Sequence, residues 1–260
     1  MGPECGAEPE AGGTIVMQIA GTQGKVGAVI LAGGKGSRMH SDIQKQYMEV
    51  LGKPLIRYSL EAFQDSDVQE IVLVTGAGEE EYASSELIEA GGFSKVVAVV
   101  AGGKERYHSV YEGLKALRDC DYVLVHDGAR PLVTEVIIAR AIAGAKQYEA
   151  CVIGMPVKDT IKVAGVDGYA VATPDRTQLW QVQTPQAFSY SLLRGAYDWL
   201  MEDESRQKGI TDDAMVVEFS TGKKIRLMEG SYENLKVTTP EDLVMAEALL
   251  QWRLKNSCLL

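Results

Sequence analysis

Between Val26 and Tyr47 the chain reads VGAVILAGGKGSRMHSDIQKQY, in which Gly33, Gly34 and Gly36 are interleaved with Lys35, Arg38 and Lys45. Glycines let a backbone come close to a bulky ligand and turn its N–H groups toward phosphate oxygens. Arg38 offers such oxygens a planar fork, and Lys45 a mobile point charge. Together they suit a polyphosphate whose charge must be offset while a bond to phosphorus breaks. A solvated turn with incidental cations is the plain alternative, and for an isolated GxG it would be preferred. Against it stand the apolar run Val26 to Leu31, which delivers the chain into the glycines, and the acidity of the rest, with 26 Lys and Arg against 36 Asp and Glu.

Two familiar phosphate loops do not fit. A dinucleotide loop GxGxxG needs a third glycine where Met39 stands, and a helix that begins at once, whereas this loop continues to Gln46. The P-loop pattern GxxxxGK[ST] is missing. An NAD(P)-dependent oxidoreductase would also place an acidic residue at the end of the second strand, where Thr75-Gly76 occurs. Other polar groups follow apolar runs in the same way: Gly102-Gly103, then His126-Asp127 with Arg130. Asp127 could cap a turn, but beside Arg130 behind a strand it is preferred as a site residue. Histidines at such places more often pack than react, so His40, His108 and His126 are left out of the chemistry. Asp212-Asp213 behind Thr211 fits a helix N-terminus, where acidic residues are favoured, better than a metal site.

The elements that must carry these groups alternate. Buried strands are expected over Val26 to Leu31, Glu70 to Thr75, Val96 to Val100, Tyr122 to Val125 and Cys151 to Val157, because each is short, apolar and mostly β-branched. Helical spacing is expected over Pro54 to Gln64, Glu79 to Glu89, Arg106 to Leu117, Glu135 to Gln147, Ser189 to Glu204 and Pro240 to Lys255. Such alternation implies βαβ units, hence a single Rossmann-like α/β domain over residues 25–255 with a mostly parallel sheet flanked by helices. Ligands gather outside the carboxyl ends of such strands, where the distinctive residues lie. Polar–apolar alternation around Gly165-Val166-Asp167-Gly168 marks a projecting β-hairpin arm over 157–176, a candidate for dimerisation.

Composition bounds the function. At 260 residues the chain can bury a substantial core in one large domain. A net charge of −10 argues against nucleic acid or a membrane surface as partner. No apolar run approaches the roughly 20 residues needed to span a bilayer. Cys5, Cys120, Cys151 and Cys258 are scattered, suggesting neither zinc nor disulfides and a reduced, cytoplasmic setting. The first 24 residues lack Lys and Arg, match neither a signal nor a transit peptide, and read as a disordered extension.

The stretch Leu31 to Met39, followed by Lys45-Gln46-Tyr47, resembles the signature of nucleotidyltransferases that activate small phosphorylated metabolites. Six later segments occur in matching order: Gly102 to Arg106 with Ser109-Val110, Val125 to Pro131, Pro156 to Lys162, Gln183 to Gln186, Thr211 to Ala214 and Asn234 to Thr238. They narrow the resemblance, over about Val26 to Leu250, to the 2-C-methyl-D-erythritol 4-phosphate cytidylyltransferase family. The resemblance implies that CTP lies on Ala32, Gly33, Gly34, Gly36, Gly103 and Ser109, and that a sugar-alcohol phosphate attacks its α-phosphorus in line. Arg38 and Lys45 would be catalytic by charge stabilisation, with Mg²⁺ or another divalent cation near Asp127. Arg130, Thr160, Arg176, Thr184 and Lys236 would hold the sugar phosphate, Arg176 from the arm of a second copy in a homodimer. Family members usually carry proline where Gln44 stands, and a small residue in place of His40. A sibling enzyme acting on ribitol 5-phosphate shares the loop and the His-Asp-x-x-Arg-Pro turn, but the Pro156 and Gln183 segments favour the erythritol enzyme. A catalytically silent nucleotide-binding regulator is a third reading.

Overall fold

The structure is a computed structural model and describes residues 24–34 and 44–256. The extension up to residue 23, and Lys35, Gly36, Arg38, Met39 and His40 of the glycine loop, lie outside the described residues.

Seven strands form the central sheet: β1 (Val26–Leu31), β4 (Glu70–Thr75), β5 (Val96–Ala101), β6 (Tyr122–Asp127), β7 (Ala150–Pro156), β10 (Trp180–Ser189) and β11 (Arg226–Glu229). Their order is β11-β7-β10-β6-β1-β4-β5. β1 pairs in parallel with β4 and with β6, β4 with β5, and β11 with β7. Leu31 is level with Val74 on one side and with Asp127 on the other, so the carboxyl ends of β1, β4 and β6 open onto one place. The chain runs outward from β1 through β4 to β5 and then returns to lay β6 on the opposite side of β1. That reversal is the crevice where open α/β sheets bind ligands.

The expected alternation of strands and helices is present. The helices are α1 (Leu55–Asp65), α3 (Arg106–Ala116), α4 (Glu135–Tyr148), α5 (Tyr190–Met201), α6 (Asp213–Thr221) and α7 (Pro240–Asn256), with α2 (Glu80–Tyr82) running on into a π-helical turn, Ala83–Glu89. One core layer joins α1 and α4 to the sheet through Ile56, Leu60, Phe63, Ile138 and Ala141. The other joins α3, α5 and α6 through Val110, Leu114, Leu193, Tyr197 and Val216. A smaller cluster of Val50, Leu55, Leu132, Val237 and Leu250 fastens α7 beside the short hairpin β2 (Glu49–Val50) and β3 (Lys53–Pro54).

β10 departs from the expected pattern. It runs antiparallel between β6 and β7 in the middle of the sheet, where Pro185 argues against a strand because proline cannot donate to a ladder. The sheet accommodates it with a register shift between Val182 and Gln186. β11 is short and largely exposed, so it carries no apolar signal. The arm is present as β8 (Val163–Ala164) and β9 (Ala170–Ala172), with Val163, Val166, Tyr169 and Val171 exposed. Among the described residues no helix is long and apolar enough to cross a membrane.

Candidate active site

A cleft of about 840 Å³ opens at the joint carboxyl ends of β1, β4, β5 and β6. That volume lies within the roughly 300–1,000 Å³ of small-molecule sites. Ala32, Gly33, Gly34, Lys45, Gly103, Ser109, Asp127 and Lys236, all singled out from the sequence, line it together. The glycines serve packing as well as access. A Cβ on Gly33 would sit 3.0 Å from the Thr75 carbonyl oxygen, and one on Gly103 would sit 2.3 Å from the Cβ of His108. Only glycine therefore lets the ends of β4 and α3 close around the cleft floor.

The floor is formed where β5 gives way to α3. Glu105 caps α3 reciprocally with His108, its N–H donating to His108 Nδ1 at 3.2 Å. Ser109 Oγ accepts the Gly103 N–H at 3.1 Å and donates to the Glu105 carbonyl at 3.3 Å, which fixes the Gly102-Gly103 turn on the helix. The start of α3 thus faces the cleft, an end that favours anions.

Opposite stands Asp127, the last residue of β6. Its Oδ2 accepts from Lys236 Nζ at 2.6 Å and its Oδ1 from Arg106 Nε at 3.1 Å. Burial opposes ionisation, but the charge of Arg106 and then that of Lys236 outweigh it and hold the carboxyl well below the usual carboxylate range. Arg130 lies behind, donating to the Asn234 carbonyl at 2.8 Å, while burial lowers its pKa. Thr184 is buried beneath the carboxylate, where its Oγ1 accepts the Asp127 N–H at 3.1 Å. Neither Thr160 nor Arg176 lines the cleft. Arg176 sits at the base of the arm and donates to the Lys158 carbonyl at 2.9 Å.

Lys45 opens a 3-10 turn, Lys45–Tyr47, and its ammonium donates to the Val237 carbonyl at 3.1 Å, joining the loop stem to the Lys236 segment. Gln44, where proline would be usual, has φ −62° and ψ 136°, a conformation proline itself adopts. Side-chain bonds supply the stiffness instead: Gln44 donates to Glu79 and accepts from Gln46. Tyr47 donates to Glu79 Oε2 at 2.8 Å.

Arg106 and Glu79 are among the cleft groups to which the sequence alone assigns no role. Arg106 ends the segment Gly102 to Arg106, and Glu79 opens an unremarkable acidic helix start. Asp213 was expected to cap a helix, and the cap is Asp212, whose carboxylate accepts from Met215 N at 2.9 Å. Asp213 turns inward instead and is 0% exposed.

His126 is a packing residue. It is fully buried, its Nδ1 lies 3.1 Å from Thr184 Oγ1, and its ring rests on Phe63. Burial is the main cause that pushes its pKa down from 6.5 to about 3. The native state keeps this imidazole neutral while the unfolded chain protonates it, so its contribution to stability is full above 6.5 and is lost as the pH falls toward 3. Between about pH 7.5 and 5, urea unfolding should show the wild type losing about 2 kcal/mol more than His126→Asn. Parallel pH curves for the two proteins would refute this.

Comparison with known proteins agrees with the geometry. The family profile described as "IspD: 2-C-methyl-D-erythritol 4-phosphate cytidylyltransferase" matches residues 26–252. The chain is 49% identical over 227 residues to the 2-C-methyl-D-erythritol 4-phosphate cytidylyltransferase of Lachnoclostridium phytofermentans, covering 87% of this chain and 97% of that protein. It is 49% identical over 225 residues to the protein of the same name from Lachnospira eligens, covering 86% and 98%. Among solved structures it resembles the 4-diphosphocytidyl-2C-methyl-D-erythritol synthase of Anaerococcus prevotii, with TM-score 0.77 at 32% identity over 88% of this chain and 96% of that one. The Thermus thermophilus 2-C-methyl-D-erythritol 4-phosphate cytidylyltransferase superposes with TM-score 0.71 at 32% identity, covering 87% and 99%.

Proposed function

Because the chain belongs to the 2-C-methyl-D-erythritol 4-phosphate cytidylyltransferase family, we propose a division of labour within its cleft. The chain is a nucleotidyltransferase: it couples CTP to 2-C-methyl-D-erythritol 4-phosphate and releases pyrophosphate, a step of non-mevalonate isoprenoid biosynthesis. The attacking group is a phosphate that the substrate brings with it, so no protein nucleophile is required. Catalysis is then positioning plus stabilisation of charge on the phosphates.

CTP rests on Ala32, Gly33 and Gly34, its base against Gly103 and Ser109, with Gly36 and Arg38 continuing the same loop. Lys45 faces the triphosphate from the loop stem. Lys236 and Arg130, held by Asp127 and the Asn234 carbonyl, direct the sugar phosphate toward the α-phosphorus from the opposite wall, above Thr184. The observation that carries this arrangement is the ionised Asp127 held between Arg106 and Lys236 at the crevice of the sheet.

Among the described residues no group of three His, Cys, Asp or Glu side chains could hold a metal by itself. Magnesium needs no protein cage when phosphates and water supply most of its oxygens. Asp127 fits that demand, because two of its roughly four lone-pair sites are taken by cations and the others remain. Mg²⁺ carried by CTP would be held there, and would supply charge neutralisation on the triphosphate.

The exposed apolar side chains of the arm favour a homodimer, in which Thr160 and Arg176 complete the sugar-phosphate subsite of a second copy. Purified protein given CTP, Mg²⁺ and either 2-C-methyl-D-erythritol 4-phosphate or ribitol 5-phosphate should release pyrophosphate with the first. Turnover confined to ribitol 5-phosphate would reverse the substrate assignment. A monomer in sedimentation of the same active preparation would remove the role given to Arg176.

A further inference from the structure

Asp213 is the first residue of α6, and its carboxylate is 0% exposed. Both its oxygens grip the Arg106 guanidinium, Oδ1 to one terminal nitrogen at 2.9 Å and Oδ2 to the other at 2.8 Å. Tyr197, itself fully buried, donates its hydroxyl to Oδ1 at 2.6 Å. The backbone is pinned too: the N–H groups of Asp213 and Ala214 both donate to Gln186 Oε1 at 3.0 Å. The guanidinium therefore has its two terminal nitrogens committed to Asp213, and its Nε is left to reach Asp127 at 3.1 Å.

An ion pair whose carboxylate is fully buried while its guanidinium is 27% exposed is weakly explained by stability, since apolar residues packed in such places often do as well. Its geometry has a consequence at the cleft instead. Arg106 lines the cleft beside Asp127. Without a second carboxylate behind it, a guanidinium there would be free to turn toward phosphate oxygens or to draw Asp127 away from Lys236. With that carboxylate in place, its orientation and much of its charge are already spoken for. A bidentate fork is the arrangement that fixes a guanidinium plane.

We propose that Asp213 is a positioning residue for the nucleotidyl transfer: it acts through Arg106 to fix Asp127, and thereby Lys236, without touching either substrate. The proposal rests on the place given to Asp127 in the proposed function. Steady-state pyrophosphate release by the full-length protein tests it in Asp213→Asn, Arg106→Gln and the double variant, with Asp127→Asn beside them.

Asp213→Asn should lower kcat by about 10²-fold, the effect of a misplaced catalytic group. Its KM for CTP should be unchanged or lower, because Arg106 loses its counter-charge and the cleft gains positive charge. In the Arg106→Gln background the same substitution should cost nothing further, since a residue acting through Arg106 has nothing left to act on. Losses that multiply, normal turnover of Asp213→Asn, or a loss confined to a raised KM for CTP would each overturn the proposal. Should Asp213→Asn not fold, Tyr197→Phe removes one donor to the same carboxylate. It should give a several-fold loss in kcat that disappears in the Arg106→Gln background, and an unchanged kcat or a persisting loss would count against Asp213 equally. Normal turnover of Asp127→Asn would instead sink the role of Asp127 itself, which separates the two failures.

Discussion

Lys45→Ala is expected to lower kcat by about 10²- to 10³-fold, the range seen when one preorganised donor to a developing oxyanion is removed. Lys45 is held for such a task. The 3-10 turn places it at the mouth of the cleft, Tyr47 and Gln44 tie that turn to Glu79, and its ammonium already reaches the Val237 carbonyl beside Lys236. A charge so placed needs little reorganisation when negative charge builds on the phosphates. Little of the fold depends on it, because the turn is closed by backbone bonds from Tyr47 and Met48 to Gln44 and Lys45. Pyrophosphate release should therefore collapse while the urea unfolding midpoint stays near that of the wild type. Near-normal turnover, or a loss of activity matched by a loss of folded protein, would refute the role.

The parts of this site that could be read from the sequence share one property: their signal is local. A β-branched run that empties into glycines declares both a strand and its carboxyl end, and β1 and β4 fall within the boundaries expected for them. Gly103 behind β5, Asp127 at the end of β6 and Lys45 on the loop after β1 could be named for the same reason. β10 could not, because its place in the sheet depends on β6 and β7, and its own residues, with Pro185 among them, argue for a loop. Asp213 shows the same limit at the scale of one side chain. Two adjacent acids at a helix start look alike in sequence, and only the packing of α6 on α5 sends one to cap the helix and the other inward to Arg106. Arg106 and Asp213 are 107 positions apart, a separation no local pattern can bridge.

Asp127→Asn should show how far fold and chemistry share this carboxylate. Its side chain is 11% exposed and satisfies two cations at once, one at each oxygen. Asparagine offers a single acceptor oxygen, so either Arg106 or Lys236 would face an amide N–H instead of an acceptor. The cost stays below that of breaking a fully buried pair, because Lys236 is 39% exposed and can turn to water while Arg106 keeps both oxygens of Asp213. A urea unfolding free energy lower by about 1–2 kcal/mol at neutral pH is expected, together with turnover lower by about 10²-fold as Lys236 loses its tether. The pH dependence separates this from a general loss of packing. The Asp127 carboxyl is depressed in the folded state, so its contribution is present above the ordinary aspartate value of 3.8 and is lost as the pH falls below it. The gap between the wild type and the variant should accordingly narrow in acid. A gap that persists unchanged well below that value would mean that the variant fails through shape and not through charge, and the electrostatic account of the site would fall with it.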